Sequence, residues 1–288
     1  MRSILLAACI ALPSGFAQSA DDAATIMAKM AASFEKAAEG RRQFVYSQTV
    51  KGSLLRGDGR VSRKESREYT VTPQAAGTEK RLVSFQGEYR KGKQVLSYSD
   101  PGFKFKDEDI DGELLSDLIE DLTGDKESRD GISESLFPLR TKDLPAYRYT
   151  LKGRTERNGR PAYVIAFEPQ PHSDLCIHVG SEGNDCEDRP WKGEVQVDVE
   201  DLQPVRIDTT LGTKIPWVVR NVFGTNLRQL GFSLSYTRVA DGVWFPATYG
   251  TEFHVDLLWF YKRTIALSLL NSGFKKTDAN SKITYDLR

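Results

Sequence analysis

The densest group of residues able to do chemistry is His172, Asp174, Cys176, His178 and Cys186. Two imidazoles and two thiolates would satisfy the tetrahedral preference of zinc, although the spacing fits no common zinc module. The competing reading pairs Cys176 with Cys186, ten positions apart, as a disulfide closing a polar loop. An oxidised pair cannot ligate a metal, so the readings exclude each other; the disulfide is expected and no metal is assigned. Its short loop limits the gain to about 2–3 kcal/mol in the chain-entropy model. A second group, Asp107-Glu108-Asp109-Ile110-Asp111-Gly112, opens like a calcium-binding loop, but Leu118 stands where the closing Glu belongs. Acidic residues ahead of a helix are equally explained by capping and the dipole. The chain has only 3 histidines (His172, His178, His254) and no Gly-x-Ser-x-Gly, His-Glu-x-x-His or phosphate-binding glycine motif. Neither an enzyme nor a cofactor is expected.

The N-terminus supplies a compartment. Arg2, the apolar run 4–12, the breakers Pro13 and Gly15 and the small residues 17–20 have the layout of a secretory signal. Cleavage fits after Ala17 or after Ser19, which sets a signal at 1–19 and one domain at 20–288. Leu6-Ala7-Ala8-Cys9 also looks like a lipoprotein box, with an apolar region too short for export. Periplasmic or envelope location follows, and with it an oxidising setting for the two later cysteines. Forty acidic and forty basic residues give zero net charge, the basic ones scattered, which argues against nucleic acid as a partner.

The elements that must position these residues are mostly strands. Residues 21–40 read as a helix capped by Asp21 or Asp22 and stopped at Gly40, its stripe being Ile26, Met27, Met30, Phe34 and Ala37. Strand signals follow at 44–50, 60–71, 81–89 and 94–98; their weak alternation and heavy charge predict strands facing solvent. A second helix is expected over 112–123, capped by Asp111 and ended at Gly124. Asn158-Gly159 between alternating runs is a strong hairpin signal. Leu230, Phe232, Leu234 and Tyr236 share one face of a later strand, and Phe245, Ala247, Tyr249, Thr251, Phe253, Val255 and Leu257 one face of the next. Trp259, Tyr261, Ile265, Leu267 and Leu269 continue the pattern. The expected fold is mainly β (α+β): a strongly curved antiparallel sheet forming an unclosed barrel, with helices packed in its concave face.

Leu136-Phe137-Pro138-Leu139, Tyr147-Arg148-Tyr149, the run 159–169, Trp191-Lys192-Gly193-Glu194-Val195-Gln196-Val197-Asp198 and Gln203-Pro204-Val205-Arg206 are followed by Asp241-Gly242-Val243-Trp244-Phe245-Pro246 and a terminal run at 283–288. This order resembles secreted bacterial proteins of the outer-membrane lipoprotein-sorting superfamily, the group related to LolA, LolB and RseB. The resemblance covers the C-terminal half and implies helices lidding an apolar cavity that receives acyl chains. The partners expected on this basis are a hydrophobic ligand or a lipidated protein, bound without catalysis. Trp217, Phe232, Phe245, Phe253 and Trp259 are the candidate ligand contacts, each also readable as ordinary core. The apolar loop 215–223 is a candidate for touching a membrane surface. The other reading is an envelope interaction or stress-sensing module whose cavity is filled.

For the cysteine loop the decisive measurement is intact mass before and after reduction, alongside metal analysis. Reduction is expected to add two hydrogens with no metal present; two free thiols with stoichiometric zinc would reverse the assignment.

Overall fold

A computed structural model describes residues 20–74, 77–106, 109–125, 128, 130–133, 136–170, 191–211, 226–228, 230–257 and 261–277. The signal segment, Cys176 and Cys186 with their loop, Trp217 and the 215–223 loop, Trp259 and the terminal run lie outside the described residues. Among the described residues no helix is long and apolar enough to cross a membrane.

Twelve strands form one antiparallel sheet. The first four are β1 (Phe44–Arg56), β2 (Val61–Gln74), β3 (Gly77–Lys91) and β4 (Gln94–Tyr98). A second group comprises β5 (Tyr147–Arg157), β6 (Arg160–Pro169), β7 (Trp191–Asp198) and β8 (Pro204–Leu211). The last are β9 (Asn226–Arg228), β10 (Ser233–Ala240), β11 (Val243–Leu257) and β12 (Tyr261–Lys276). Spatial order is β4-β3-β2-β1-β12-β11-β10-β8-β7-β6-β5, with β9 against β11; β4 and β5 are the open edges, so the barrel does not close. The C-terminal strands from β5 to β12 form one meander and β1 to β4 another, and the two are joined at β1–β12, from Phe44↔Lys276 to Arg56↔Arg263. Asn158 and Gly159 both take positive φ (52° and 74°), as the tight β5–β6 turn requires.

Two helices cover the concave face. Helix α1 (Ala20–Arg41) buries Ala23, Met27, Met30, Phe34 and Ala37, as its period predicts. It runs past Gly40, which is no terminator. A Cβ there would lie 2.9 Å from Val243 Cγ2, so the glycine serves close packing against β11. Helix α2 (Ile110–Thr123) lays Leu115, Ile119 and Leu122 on the sheet. Gly52 lets it approach, since a Cβ at that position would meet Leu115 Cδ1 at 2.5 Å. These side chains join Val50, Leu54, Ile165, Ile207, Leu234 and Ile265 in one continuous core, each full burial contributing about 1.5–3 kcal/mol.

Two expectations need correction here. Asp109, not Asp111, caps α2, accepting from the Gly112 N–H at 3.1 Å. The charged strands do not all face solvent either, because Arg63, Glu65 and Arg67 of β2 point inward and are buried beneath α2. Arg63 donates to Asp109 (2.5 Å), Glu65 (3.1 Å), the Tyr98 hydroxyl (2.8 Å) and the Phe103 carbonyl (3.0 Å). Asp111 accepts from Tyr261 (2.7 Å), Arg263 (2.9 Å) and Ser62. Burial pushes both carboxyls up. The Phe105 N–H and Arg63 at Asp109, and the Arg263, Ser62 and Tyr261 bonds at Asp111, outweigh it and hold both below the ordinary value. Of the carboxylates that suggested calcium, Asp109 and Asp111 are thereby occupied, while Asp107 and Glu108 lie outside the described residues; among the described residues no acidic, His or Cys cluster suits a metal.

Replacing Arg63 by Met leaves Asp109 buried without its cation and Glu65 with Arg67 alone as its ion-pair partner. Urea unfolding should show a loss of about 3–5 kcal/mol; a loss under about 1 kcal/mol would mean the network does not hold α2 down.

Candidate functional site

The interior is not filled at one end of α1. A chamber of about 650 Å³ lies between α1, residues 130–133 and 137–142, and β10. Its apolar wall is Phe34, Ala38, Ile132, Phe137 and Tyr236. Phe34 and Phe137 stack at 4.0 Å, and Tyr236 meets Phe34 edge-on at 5.8 Å. Helical phase brings Phe34, Ala38 and Arg41 to one side of α1, because residues three and four apart are neighbours on a helix. Glu35 accepts two hydrogen bonds from Thr141, at 2.9 and 3.0 Å, and pins the facing segment to the helix.

The chamber floor is polar. Arg41, 2% exposed, sits 4.5 Å over the Phe34 ring and donates to the carbonyls of Trp244 (3.3 Å) and Phe34 (3.4 Å). Its Nε has no hydrogen-bond partner and lies 3.6 Å from Asp130 Oδ2. Asp130 accepts from Ser128 Oγ at 3.0 Å. Behind them the Tyr46 hydroxyl is buried without a partner, against Gly131. The Tyr236 hydroxyl makes no hydrogen bond among the described residues. Burial first, then the nearby Asp130 carboxylate, pushes both tyrosines well above the ordinary phenol value despite Arg41. Lys80 reaches the same region from β3, donating to the Gly131 carbonyl at 2.5 Å and to that of Thr123; desolvation lowers it to about 8, against the pull of Asp130. Aromatic walls over a floor with spare donors can take an apolar body with a polar end.

A trough of similar volume crosses the other face of the sheet, over β12, β1, β2 and β3. Lys51, Ser53, Lys64, Ser66 and Ser268 line it, without the stacked aromatic wall of the chamber.

Of the candidate contacts, Phe232 and Phe253 share the main core, Phe232 packing edge-on to Trp191 at 5.1 Å. Phe245 is fully buried in a second cluster with Phe44, Tyr46 and Val71. A bulge between Ser235 and Tyr236, opposite Pro246 and Thr248, breaks the alternation that put Phe245 on the face of Phe253. None of the three lines the chamber. The residues that do were legible only as parts of other patterns: Phe34 in the helix stripe, Tyr236 on its strand face, Phe137 beside a proline.

No family model and no curated protein matches the chain. Similar solved structures include an outer membrane lipoprotein-sorting protein domain from Vibrio parahaemolyticus, 11% identical over 92% of this chain and 96% of that one, with a TM-score of 0.34. A LolA superfamily protein from Nitrosomonas europaea is 12% identical over 89% and 98%, TM-score 0.30. The lipoprotein LppX of Mycobacterium tuberculosis is 8% identical over 89% and 98%, TM-score 0.27. The LolA superfamily is the group whose motifs the sequence resembles; at these scores the likeness bears on no ligand or partner.

The buried ionisable groups fix an alkaline profile. Unfolded tyrosines ionise near 10, whereas Tyr46 and Tyr236 stay protonated in the native state, so their contribution is whole below 10 and lost as pH rises above it. Lys80 acts oppositely: between about 8 and 10.5 the unfolded chain binds the extra proton, so stability rises with pH there. Chemical denaturation across alkaline pH should therefore crest before falling above 10. In a Tyr46→Phe, Tyr236→Phe double variant the fall should be shallower; an unchanged slope would mean that these hydroxyls are not what drives it.

Proposed function

We propose that this is an exported, non-catalytic binding protein of the cell envelope that takes one hydrophobic group, a lipid or the acyl chain of a lipidated partner, into the chamber beside α1. The observation that carries the reading is a roughly 650 Å³ aromatic-walled space left where α1 and α2 otherwise fill the concave face. That volume is in the range of small-molecule sites. About ten buried methylenes contribute about 8 kcal/mol, which exceeds the lower bound of the association cost, about 4 kcal/mol, without charged contacts. The resemblance of the C-terminal motifs supports the same reading. Handing a lipid or lipoprotein between membranes is the physiological task it suggests.

A second reading has its own support. The candidate residues Phe232, Phe245 and Phe253 pack against the protein itself, which favours an interaction module whose interior is mostly closed.

Uptake of a fluorescent fatty acid, followed with native mass spectrometry of protein purified from its own envelope, separates the two. Binding is expected, and Ala38→Phe, which puts a ring into the chamber, should weaken it at least tenfold with little change in Tm. Absence of both co-purifying lipid and uptake would leave the interaction module.

A further inference from the structure

The chamber floor holds donors in excess of acceptors, and this selects among hydrophobic ligands. Tyr236 lines the chamber, is 3% exposed and leaves its hydroxyl unbonded among the described residues. Arg41 also lines it, 2% exposed, with Nε unbonded. A donor that a ligand's apolar body cuts off from water costs about 1–3 kcal/mol, which an acceptor on the same ligand would recover. The charge of Arg41 is already opposed by Asp130 at 3.6 Å, and Asp130 faces the same space. A second carboxylate would meet that charge in a desolvated site, whereas a neutral acceptor would not.

Resting on the binding reading above, we infer that the chamber recognises an acyl chain through an uncharged carbonyl, an ester or amide, with Tyr236 as the hydrogen-bond donor and Phe34, Phe137 and Ile132 around the adjoining methylenes. A free fatty acid is then the poorer ligand at neutral pH. Esterified lipid and an amide-linked acyl group on a peptide share the recognised chemistry.

The test uses the full chain with three twelve-carbon probes: methyl laurate, laurate and dodecane, dispersed below their aggregation limits. Methyl laurate is expected to bind about tenfold more tightly than dodecane, one hydrogen bond's worth, and more tightly than laurate at pH 7. A ¹³C-labelled ester carbonyl should show its infrared stretch lowered on binding. Tyr236→Phe keeps the ring packing and should bring ester affinity to that of dodecane while restoring the free stretch. Asp130→Asn should selectively improve laurate. If dodecane and the ester bind equally in the native protein and Tyr236→Phe changes neither, the carbonyl assignment is wrong while hydrophobic binding stands. If no probe binds, the chamber reading fails and takes this inference with it. Comparing 1-lauroylglycerol with an N-lauroyl peptide then tells which source the mouth of the chamber admits.

Discussion

The ladder between β1 and β12 is the interaction on which the rest of the structure depends. It pairs residues more than 200 positions apart, with Phe44 opposite Lys276 and Arg56 opposite Arg263. Without it there are two separate curved ribbons, each with an apolar face too narrow to bury two helices. With it the inner faces become continuous, and α1 and α2 find one surface. Loop closure over such a distance is entropically expensive, and the compensating term is the common core that forms when Val50, Leu54, Ile265 and Leu267 come together beneath α2.

The two helices are held by different physics, and the difference explains where the chamber lies. Helix α2 is fixed at its N-terminus by buried charge: Asp109 on Arg63, Asp111 on Arg263 and Tyr261. Its N-terminal carboxylates are each held by several donors. Helix α1 relies on apolar packing along most of its length, then ends at Arg41, a buried cation with one nitrogen unbonded. Arg41 and Asp130 are 3.6 Å apart, too far for a hydrogen bond, and the polar groups around them do not close on one another. An aromatic-walled space beside that open ion pair, against the close-packed charge network under α2, makes one end of the cover a site and the other a plug.

Much of the fold was legible because its signals are local. Period set both helices, Asn158-Gly159 set a hairpin, and alternation set β10 and the long strand β12. The failures came from tertiary demands. Arg63, Glu65 and Arg67 read as solvent-facing because charge ordinarily is, and nothing nearby announces that Asp109 will arrive from more than forty positions away. The bulge opposite Pro246 shifts Phe245 into another cluster, and one residue of slip suffices to do so. The chamber was illegible for a related reason. Its walls, Phe34, Phe137 and Tyr236, come from three distant segments, each apolar for reasons its own element already explains.

Strand order has a further consequence for synthesis. β12 is at the centre of the sheet yet follows every other strand in the chain, while β4 and β5, made from the middle of the sequence, are the rims. A chain emerging from its N-terminus can pair β1 through β4 early, but one side of β1 stays open until residue 276 has been released. Throughout that interval an incomplete ribbon presents one unpaired edge along the thirteen residues of β1, an invitation to any passing strand. Until the last segment comes home, pairing with a neighbour's strand competes with the native ladder.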